Sequence, residues 1–192
     1  MIAVIEPHAD DAFLSLGAHI EEWVKTGEDV QIITVYSATP KRDKDAASYA
    51  KAVGAMWLGL ELTEAGGGLN CTPAEIRHDF FDFMRKGYDR IILPLAFAHP
   101  EHKAVRNNFT ARYARVPFHA ALEFYLDSPY QIAQKNNALV TRALLGMTVV
   151  SYKKPSIRKW KHMPLFKTQQ LFFHYNPKEK LQQCFELIVR MP

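Results

Sequence analysis

The stretch "EPHADDA", residues 6–12, places side chains that can hold a metal ion directly after the apolar run that starts the chain. It contributes the imidazole of His8 and the adjacent carboxylates of Asp10 and Asp11. Imidazole and carboxylate form the mixed ligand set of catalytic zinc, which keeps one position open for water. Because adjacent aspartates point in different directions, one can bind the metal while the other faces the bound water, as a hydrolase needs. The alternative is an aspartate that caps a helix beside an incidental histidine.

A second group of such side chains, "HPEH" at residues 99–102, follows the apolar run "RIILPLAFA". Both groups therefore come directly after a predicted strand. The carboxyl ends of parallel strands line one crevice whatever their separation in the chain, so we expect the two groups to share a metal site at one edge of the sheet. The residues alone do not choose between His99 and His102 as the ligand from this second group.

Apolar runs of strand type alternate with segments of helical periodicity along most of the chain. The predicted strands are 2–6, 29–37, 56–62, 88–98 and 118–126, and the predicted helices are 10–27, 43–55, 74–87, 100–114 and 176–190. Such alternation is typical of a parallel sheet with helices on its faces. We therefore predict an α/β fold, a Rossmann-like three-layer sandwich with a mostly parallel central sheet. The sequence shows no repeat or linker, so we expect 1–192 to be one domain in which 117–192 completes the sheet, the pocket wall and a terminal helix.

The composition is that of an ordinary soluble globular protein. Of 192 residues, 48% are hydrophobic and 23% are charged, and 24 basic against 20 acidic side chains leave a net charge of +4. This mild surplus permits an anionic partner without requiring one, and no nucleic-acid module accompanies it, so we expect no nucleic-acid partner. The longest apolar runs are far shorter than the ~20 residues that cross a bilayer, and the first residues do not read as a signal peptide. We therefore predict a cytoplasmic protein without a transmembrane segment.

The segment "YKKPSIRKWKHMPLFK", residues 152–167, is rich in basic side chains. Such a run could contact a phosphate group, a membrane surface or nucleic acid, which leaves weak peripheral membrane contact as an alternative. Basic runs alone are weak signals, so we interpret the segment as a solvated, irregular surface stretch. Trp160 within it could stack on a sugar ring and is a candidate substrate contact.

The stretches "PHADDAFLSLGAHI" and "AHPEHKAVRN" together resemble the PIG-L/LmbE family of zinc-dependent N-acetyl deacetylases. That family has a first signature P-H-P-D-D-E and a second signature G-H-P-D-H, in the same order. Between them, "RDKDAASYAKAVG" at residues 42–54 resembles the family's R-x-x-E-x-x-x-A helix. The resemblance covers about residues 2–110. It implies hydrolysis of an acetamido group at a zinc centre.

The resemblance also implies a role for each functional side chain of the two motifs. His8, Asp11 and His102 would bind zinc, with iron or another divalent metal as an alternative. Asp10 would be the general base that takes a proton from a metal-bound water, whose pKa zinc lowers to about 7. His99 would stabilise or protonate the transition state.

Two further residues, Arg42 and Phe97, are candidate substrate contacts. Arg42 lies near the pocket in the family's arrangement, although an exposed helix pair with Asp45 is the alternative. Phe97 offers no hydrogen-bond donor to an oxyanion, so that role falls to His99 and the metal. Ala12 departs from the family, because it replaces the glutamate of the first signature and removes a partner that would orient the ligands.

Three functions compete at this point. The resemblance implies a zinc-dependent hydrolase that removes the acetyl group of an N-acetylated amino sugar, of the N-acetylglucosamine type, in a glycan, glycolipid or secondary-metabolite precursor. The alternatives are a metal-dependent amidohydrolase of the same fold acting on a non-sugar amide, and a non-catalytic protein that keeps the metal pocket. The expected partner is a small-molecule or glycan substrate that carries an acetamido group.

Overall fold

The computed structural model describes residues 1–37, 40–62, 87–97, 99–115, 119–128, 141–142, 144–154, 158–167 and 186–191. The described strands are β1 (Ile2–Glu6), β2 (Val30–Thr34), β3 (Met56–Gly59), β4 (Arg90–Pro94), β5 (Ala121–Tyr125), β6 (Thr148–Lys153) and β7 (Glu186–Arg190). The described helices are α1 (Asp11–Lys25), α2 (Pro40–Val53), α3 (Pro100–Tyr113) and a 3₁₀ helix (Arg158–Leu165). Within these ranges, no helix combines the length and the apolarity needed to cross a bilayer. Residues 74–86 of the predicted helix 74–87 lie outside the described residues.

These strands form one seven-stranded sheet in the order β3-β2-β1-β4-β5-β7-β6. The strands from β3 to β5 in this order all run parallel, and β7 is antiparallel to both β5 and β6. The predicted α/β fold with a mostly parallel central sheet is confirmed. Because β1 pairs with β2 on one side and with β4 on the other, the direction of winding reverses at β1. Such a reversal opens a crevice at the carboxyl ends of the two strands.

The two faces of the sheet carry separate hydrophobic cores, as the period of two along a strand predicts. Ile2 and Val4 of β1 belong to one core, and Ala3 and Ile5 belong to the other. The helical side chains in the first core include Phe13, Leu16, Ile20 and Tyr49, and those in the second include Val105 and Phe109. Helices α1 and α2 therefore cover one face and α3 covers the other, which gives the three layers that position the crevice.

The predicted terminal helix 176–190 is wrong for its described end, because residues 186–190 form strand β7. The run "ELIVR" is buried from Glu186 to Val189 and pairs with β5 on one side and β6 on the other. Three consecutive apolar residues, Leu187 to Val189, place buried side chains on both faces of the sheet, which suits a strand between two neighbours. This pairing outweighs the helix predicted for 186–190, and residues 176–185 of that helix lie outside the described part.

The basic segment 152–167 is not a solvated surface stretch throughout, which corrects the interpretation drawn from its composition. Its first residues belong to β6, and 158–165 form the 3₁₀ helix. In this helix Lys159 is only 2% exposed and Trp160 only 3%. The Trp160 ring packs edge-on against Phe13, with 5.5 Å between ring centroids. Trp160 is thus part of the core, and its predicted stacking on a sugar ring is withdrawn.

Glu186 at the start of β7 ties the end of the described chain to the middle of helix α1. Its carboxylate accepts hydrogen bonds from the backbone N–H groups of Ala18 and His19, from His19 Nδ1 at 2.9 Å and from Lys159 Nζ at 2.8 Å. Burial opposes ionisation, but the Lys159 charge and the His19 hydrogen bonds hold the pKa of Glu186 below its ordinary value. His19 Nε2 lies 2.9 Å from Ser151 Oγ, so both ring nitrogens of this buried histidine have hydrogen-bond partners within the fold.

Candidate metal centre and active site

The two metal-binding motifs meet where neighbouring parallel strands end. β1 pairs with β4, and the "PHADD" turn follows β1 directly, whereas "HPEH" follows β4 and begins helix α3. His99 is the residue before α3, with φ −76° and ψ 134°, and a proline at the first helical position then favours the helical backbone. The predicted convergence at one edge of the sheet is confirmed in the described coordinates.

Three side-chain atoms form a nearly equilateral triangle in this crevice. Asp11 Oδ2 lies 3.3 Å from His8 Nδ1 and 3.2 Å from His102 Nε2, and the two imidazole nitrogens are 3.3 Å apart. Zinc–ligand bonds of about 2.0–2.1 Å at tetrahedral angles separate neighbouring ligand atoms by about 3.3–3.4 Å. The donor set and its spacing therefore fit one four-coordinate divalent metal ion with a fourth position left for water. Between the two histidines that the sequence left open, the geometry favours His102 for this triangle.

Each histidine of the triangle donates the N–H of its other ring nitrogen to a carboxylate. His8 Nε2–H donates to Glu101 Oε2 at 2.7 Å, and His102 Nδ1–H donates to Asp127 Oδ1 at 2.6 Å. These contacts fix the tautomer and the ring orientation, so that the lone pairs of His8 Nδ1 and His102 Nε2 face the centre of the triangle. The second oxygen of Asp127 accepts the backbone N–H of Ala96 at 2.6 Å. The site is therefore pre-set by its outer partners before any ligand arrives.

The charges of the site favour a cation. Burial disfavours a charged imidazole, but hydrogen bonds to Asp11 and Glu101 raise the pKa of His8 to about 9. In the same way the charges and hydrogen bonds of Asp11 and Asp127 outweigh burial and raise the pKa of His102 to about 10. Burial opposes ionisation of Asp11, yet the two histidines hold the pKa of Asp11 well below its usual range. In the metal-free site, the protons of the two histidines balance the charge of the surrounding carboxylates. A divalent cation between the histidines and Asp11 would balance the same carboxylates.

Asp10 is a buried carboxyl group whose pKa is tuned toward neutrality. Burial and the neighbouring Asp11 charge raise the pKa of Asp10 to about 6, while Arg42 and His8 oppose the rise. Arg42 Nη2 reaches to 3.7 Å from Asp10 Oδ1, so helix α2 delivers this arginine to the site as the family arrangement implies. Although Asp10 immediately precedes α1, its side chain makes no capping hydrogen bond to the described backbone. That observation removes the helix-cap alternative for this aspartate.

His99 borders the two ligand histidines without entering the triangle. Its ring centroid lies 5.3 Å from that of His8 and 5.1 Å from that of His102. Burial and the charges of these two histidines lower the pKa of His99, and its side chain remains 28% exposed. A largely neutral imidazole at the open side of a cation site can donate a hydrogen bond to a substrate oxygen. This position suits the predicted transition-state role, which stays a proposal.

Phe97 does not line the open side of the site as a substrate contact would. It is 7% exposed and belongs to the core on the α3 face of the sheet. The short connection from β4 to α3 turns sharply here, because Ala96 adopts a left-handed backbone with φ 59°. The Asp127 hydrogen bond holds that turn in place. The prediction of Phe97 as a substrate contact is therefore corrected to a core residue.

Two functional residues escaped the sequence reasoning, Asp127 and Glu6. Asp127 comes two residues after β5, and the signal that could have found it is a polar residue past the end of a parallel strand. Glu6 ends β1, where it accepts the backbone N–H of Ala12 at 2.9 Å and the hydroxyl of Thr34 at 2.6 Å. Burial raises the pKa of Glu6 to about 8. The carboxyl group of Glu6 thus supports the first turn of α1 through the backbone of Ala12. Ala12 is the residue that replaces the glutamate of the family signature.

Comparisons with solved structures confirm the fold. The A40926 pseudoaglycone deacetylase Dbv21 superposes with a TM-score of 0.74 at 18% identity over 98% of this chain and 95% of that chain. The N,N'-diacetylchitobiose deacetylase from Pyrococcus horikoshii superposes with a TM-score of 0.57 at 16% identity, over 98% of this chain and 82% of that one. No protein-family profile and no curated protein sequence matches the chain.

The same fold also occurs in a protein with different chemistry. The 4-carboxy-2-hydroxymuconate hydratase from Pseudomonas putida KT2440 has a TM-score of 0.64 at 11% identity over 91% of this chain and 81% of that chain. The α/β architecture implied by the PIG-L/LmbE resemblance is confirmed by these superpositions. Because a fold hosts several activities, the function of this chain is argued from the site.

Proposed function

We propose that the protein is a metal-dependent hydrolase that removes the acetyl group from an N-acetylated amino sugar. The observation that carries the proposal is the triangle of His8 Nδ1, Asp11 Oδ2 and His102 Nε2, with sides of 3.2–3.3 Å, beside a buried aspartate. Zinc is the proposed metal, since a mixed imidazole–carboxylate set with an open fourth position is typical of catalytic zinc. Iron is the alternative that the same ligands admit.

The residues around the triangle have the properties that amide hydrolysis requires. A bound zinc ion supplies a Lewis acid that lowers the pKa of a coordinated water to about 7. Asp10, a buried carboxyl group next to the triangle, accepts a proton as the water oxygen bonds to the carbonyl carbon. His99 donates a hydrogen bond to the carbonyl oxygen as negative charge develops on it. Asp10 then returns the proton to the amine nitrogen while the C–N bond breaks, so that the amine and acetic acid leave, and the acid releases the second proton of the water to become acetate.

An N-acetylglucosamine-type sugar in a glycan, glycolipid or secondary-metabolite precursor is the proposed substrate. Structural neighbours described as deacetylases of a pseudoaglycone and of diacetylchitobiose support this choice. A non-sugar amide is the second candidate. It is favoured by one observation: the two aromatic residues foreseen as substrate contacts, Phe97 and Trp160, are buried in the cores and offer no ring to a sugar.

The experiment that tests the proposal combines metal analysis with acetate release. The protein loaded with zinc is assayed on N-acetylglucosamine, N,N'-diacetylchitobiose and an N-acetylated amino acid, and its metal content is measured. His102→Ala is expected to lose the metal, whereas Asp10→Asn is expected to keep it and to lose about a hundredfold or more in acetate release. Asp29→Asn, at an exposed aspartate directly before β2, is the matched control. Full activity in Asp10→Asn contradicts the mechanism, and hydrolysis of the amino acid derivative alone favours the second candidate.

A further inference from the structure

A cleft of about 280 Å³ lies between helix α2 and the end of the 3₁₀ helix. Its α2 wall consists of residues spaced by three or four positions, and its opposite wall comes from the end of the basic segment. The lining residues are Lys41, Lys44, Asp45, Ser48, Leu165 and Lys167. Ligand pockets start at about 300 Å³, so this cleft accommodates one group of a larger ligand rather than the whole of it.

The two walls are held against each other by aromatic packing. Tyr49, on the buried side of α2, lies 5.7 Å from the ring of His162 and 5.5 Å from that of Phe166. These contacts anchor the 3₁₀ helix and the residues after it on α2. Lys167 is therefore placed opposite Lys41 and Lys44 by the fold, and the cleft is a built feature rather than an accident of three long side chains.

Three lysines face a single carboxylate in this cleft, which leaves an excess of two positive charges. Asp45 is buried and already engaged in an interaction. Two exposed or half-buried lysines elsewhere in the basic segment have acidic partners: Lys153 pairs with Glu22 at 2.5 Å and Lys161 with Glu21 at 3.3 Å. Among the described residues, no carboxylate lies within ion-pair distance of the ammonium groups of Lys41, Lys44 or Lys167. Compact ammonium charges of this kind are typical partners of phosphate.

The cleft adjoins the candidate active site through the first turn of α2. Lys41 lines the cleft, and the next residue, Arg42, reaches to 3.7 Å from Asp10. Lys41 and Arg42 are consecutive residues in the first turn of α2, so this turn contributes one cation to the cleft and one to the candidate site. A ligand that spans the two sites would place its acetamido group at the metal triangle and a second group in the cleft.

We propose that the cleft of Lys41, Lys44 and Lys167 binds a phosphate ester of the substrate, so that the protein acts on a phosphorylated amino sugar. This inference rests on the proposed deacetylase function and names the class of its substrate. The lysines bind the phosphate in the ground state and the transition state alike, so they lower KM and leave kcat unchanged.

The test compares N-acetylglucosamine with its 1-phosphate and 6-phosphate esters on the zinc-loaded protein. The triple variant Lys41→Gln/Lys44→Gln/Lys167→Gln is expected to raise KM for the preferred phosphate ester on the order of tenfold, with little change for the neutral sugar. The difference shrinks as salt rises, because exposed charges are screened. The matched control is Lys25→Gln/Lys51→Gln/Lys154→Gln, three exposed lysines outside the cleft. Equal KM values for the phosphate esters in the wild type and the cleft variant overturn the proposal.

A binding measurement separates this proposal from the proposed function. Inorganic pyrophosphate is titrated into the wild type, the cleft variant and the control variant. Any binding of pyrophosphate to the metal is common to all three proteins, so a difference between them reports on the cleft. Binding that weakens about tenfold in the cleft variant alone supports the anion site even if no substrate releases acetate, an outcome that refutes only the deacetylase function. Weaker pyrophosphate binding with an unchanged KM for the phosphate esters assigns the site to a free anion and overturns the substrate assignment. Pyrophosphate binding that is equal in all three proteins refutes the site itself.

Discussion

Asp127 is expected to set the metal affinity of the site although it touches no metal itself. Its carboxylate is buried and holds two donors at once, His102 Nδ1–H at 2.6 Å and the backbone N–H of Ala96 at 2.6 Å. The substitution Asp127→Asn keeps the shape of the side chain but replaces one acceptor oxygen with an NH2 donor. The asparagine can therefore serve one of the two donors and must oppose the other.

The magnitude follows from these two contacts. Loss of a carboxylate partner behind a metal-binding histidine lowers metal affinity by about ten- to a hundredfold, or about 1.4–2.7 kcal/mol. If the asparagine serves His102 instead, the buried N–H of Ala96 is left without an acceptor, which lowers the free energy of unfolding by about 1–3 kcal/mol. The variant must therefore lose either zinc affinity or free energy of unfolding. We expect the larger effect on zinc affinity, because the negative charge beside His102 is lost whichever way the asparagine side chain points.

The assay is a competition titration of zinc against a chromophoric chelator, together with urea unfolding of the metal-free protein. Asp29→Asn serves as the control for a surface carboxyl group. Ala96→Gly in the Asp127→Asn background separates the two effects, because glycine adopts the φ of 59° at Ala96 without strain. This second change should recover stability and leave the zinc affinity low. A zinc affinity of Asp127→Asn within twofold of the wild type would refute the reasoning.

Zinc binding should release up to two protons near neutral pH, because the pKa values of His8 and His102 are raised to about 9 and about 10 in the metal-free site, and the affinity should rise with pH. Calorimetry in buffers of different ionisation enthalpy counts these protons, and a pH-independent affinity contradicts the assignment of the ligands. Glu186→Gln leaves Lys159 buried without its carboxylate and should lower the free energy of unfolding by about 3–5 kcal/mol at neutral pH, measured with urea. Since the pKa of Glu186 lies below its unfolded value of about 4.3, the stabilisation is present above that pH, and the gap between wild type and variant should close as the pH falls below about 4. Glu101→Gln keeps an acceptor for His8 Nε2–H but removes the charge, so zinc affinity should fall about tenfold in the chelator assay, and an unchanged value would place Glu101 outside the metal's support.

The location of the candidate site was predictable from the sequence because strand order carries that information. "PHADD" and "HPEH" each follow an apolar run of strand type, and parallel strands bring their carboxyl ends to one edge. Local patterns of this kind need no knowledge of long-range contacts. The same local logic predicted strands β1 to β5 and helices α1, α2 and α3, since each is shaped mainly by its own periodicity.

Only the tertiary structure decided which side chains do what at that edge. The sequence does not distinguish His99 from His102 as the candidate ligand. The choice between them depends on the direction of each ring at the start of α3. Asp127 joins the site from the end of β5, far along the chain, and its position two residues past a strand does not by itself identify His102 as its partner. Lys159 and Trp160 belong by composition to a basic surface segment, yet Glu186 and the rings of α1 draw them into the core.

Strand β7 shows the same division between local and long-range information. Its residues follow a stretch of good helix formers, so local preference predicts a helix up to residue 190. Pairing with β5 and β6 buries "ELIV" on both sides, and that burial outweighs the small helix preference of a few residues. The sequence by itself therefore determined the parallel core and the location of the candidate metal site, because the periodicity of each strand and helix is a local property. The choice of ligand, its carboxylate partners and the final strand depended on contacts between segments far apart in the chain, which no local period encodes.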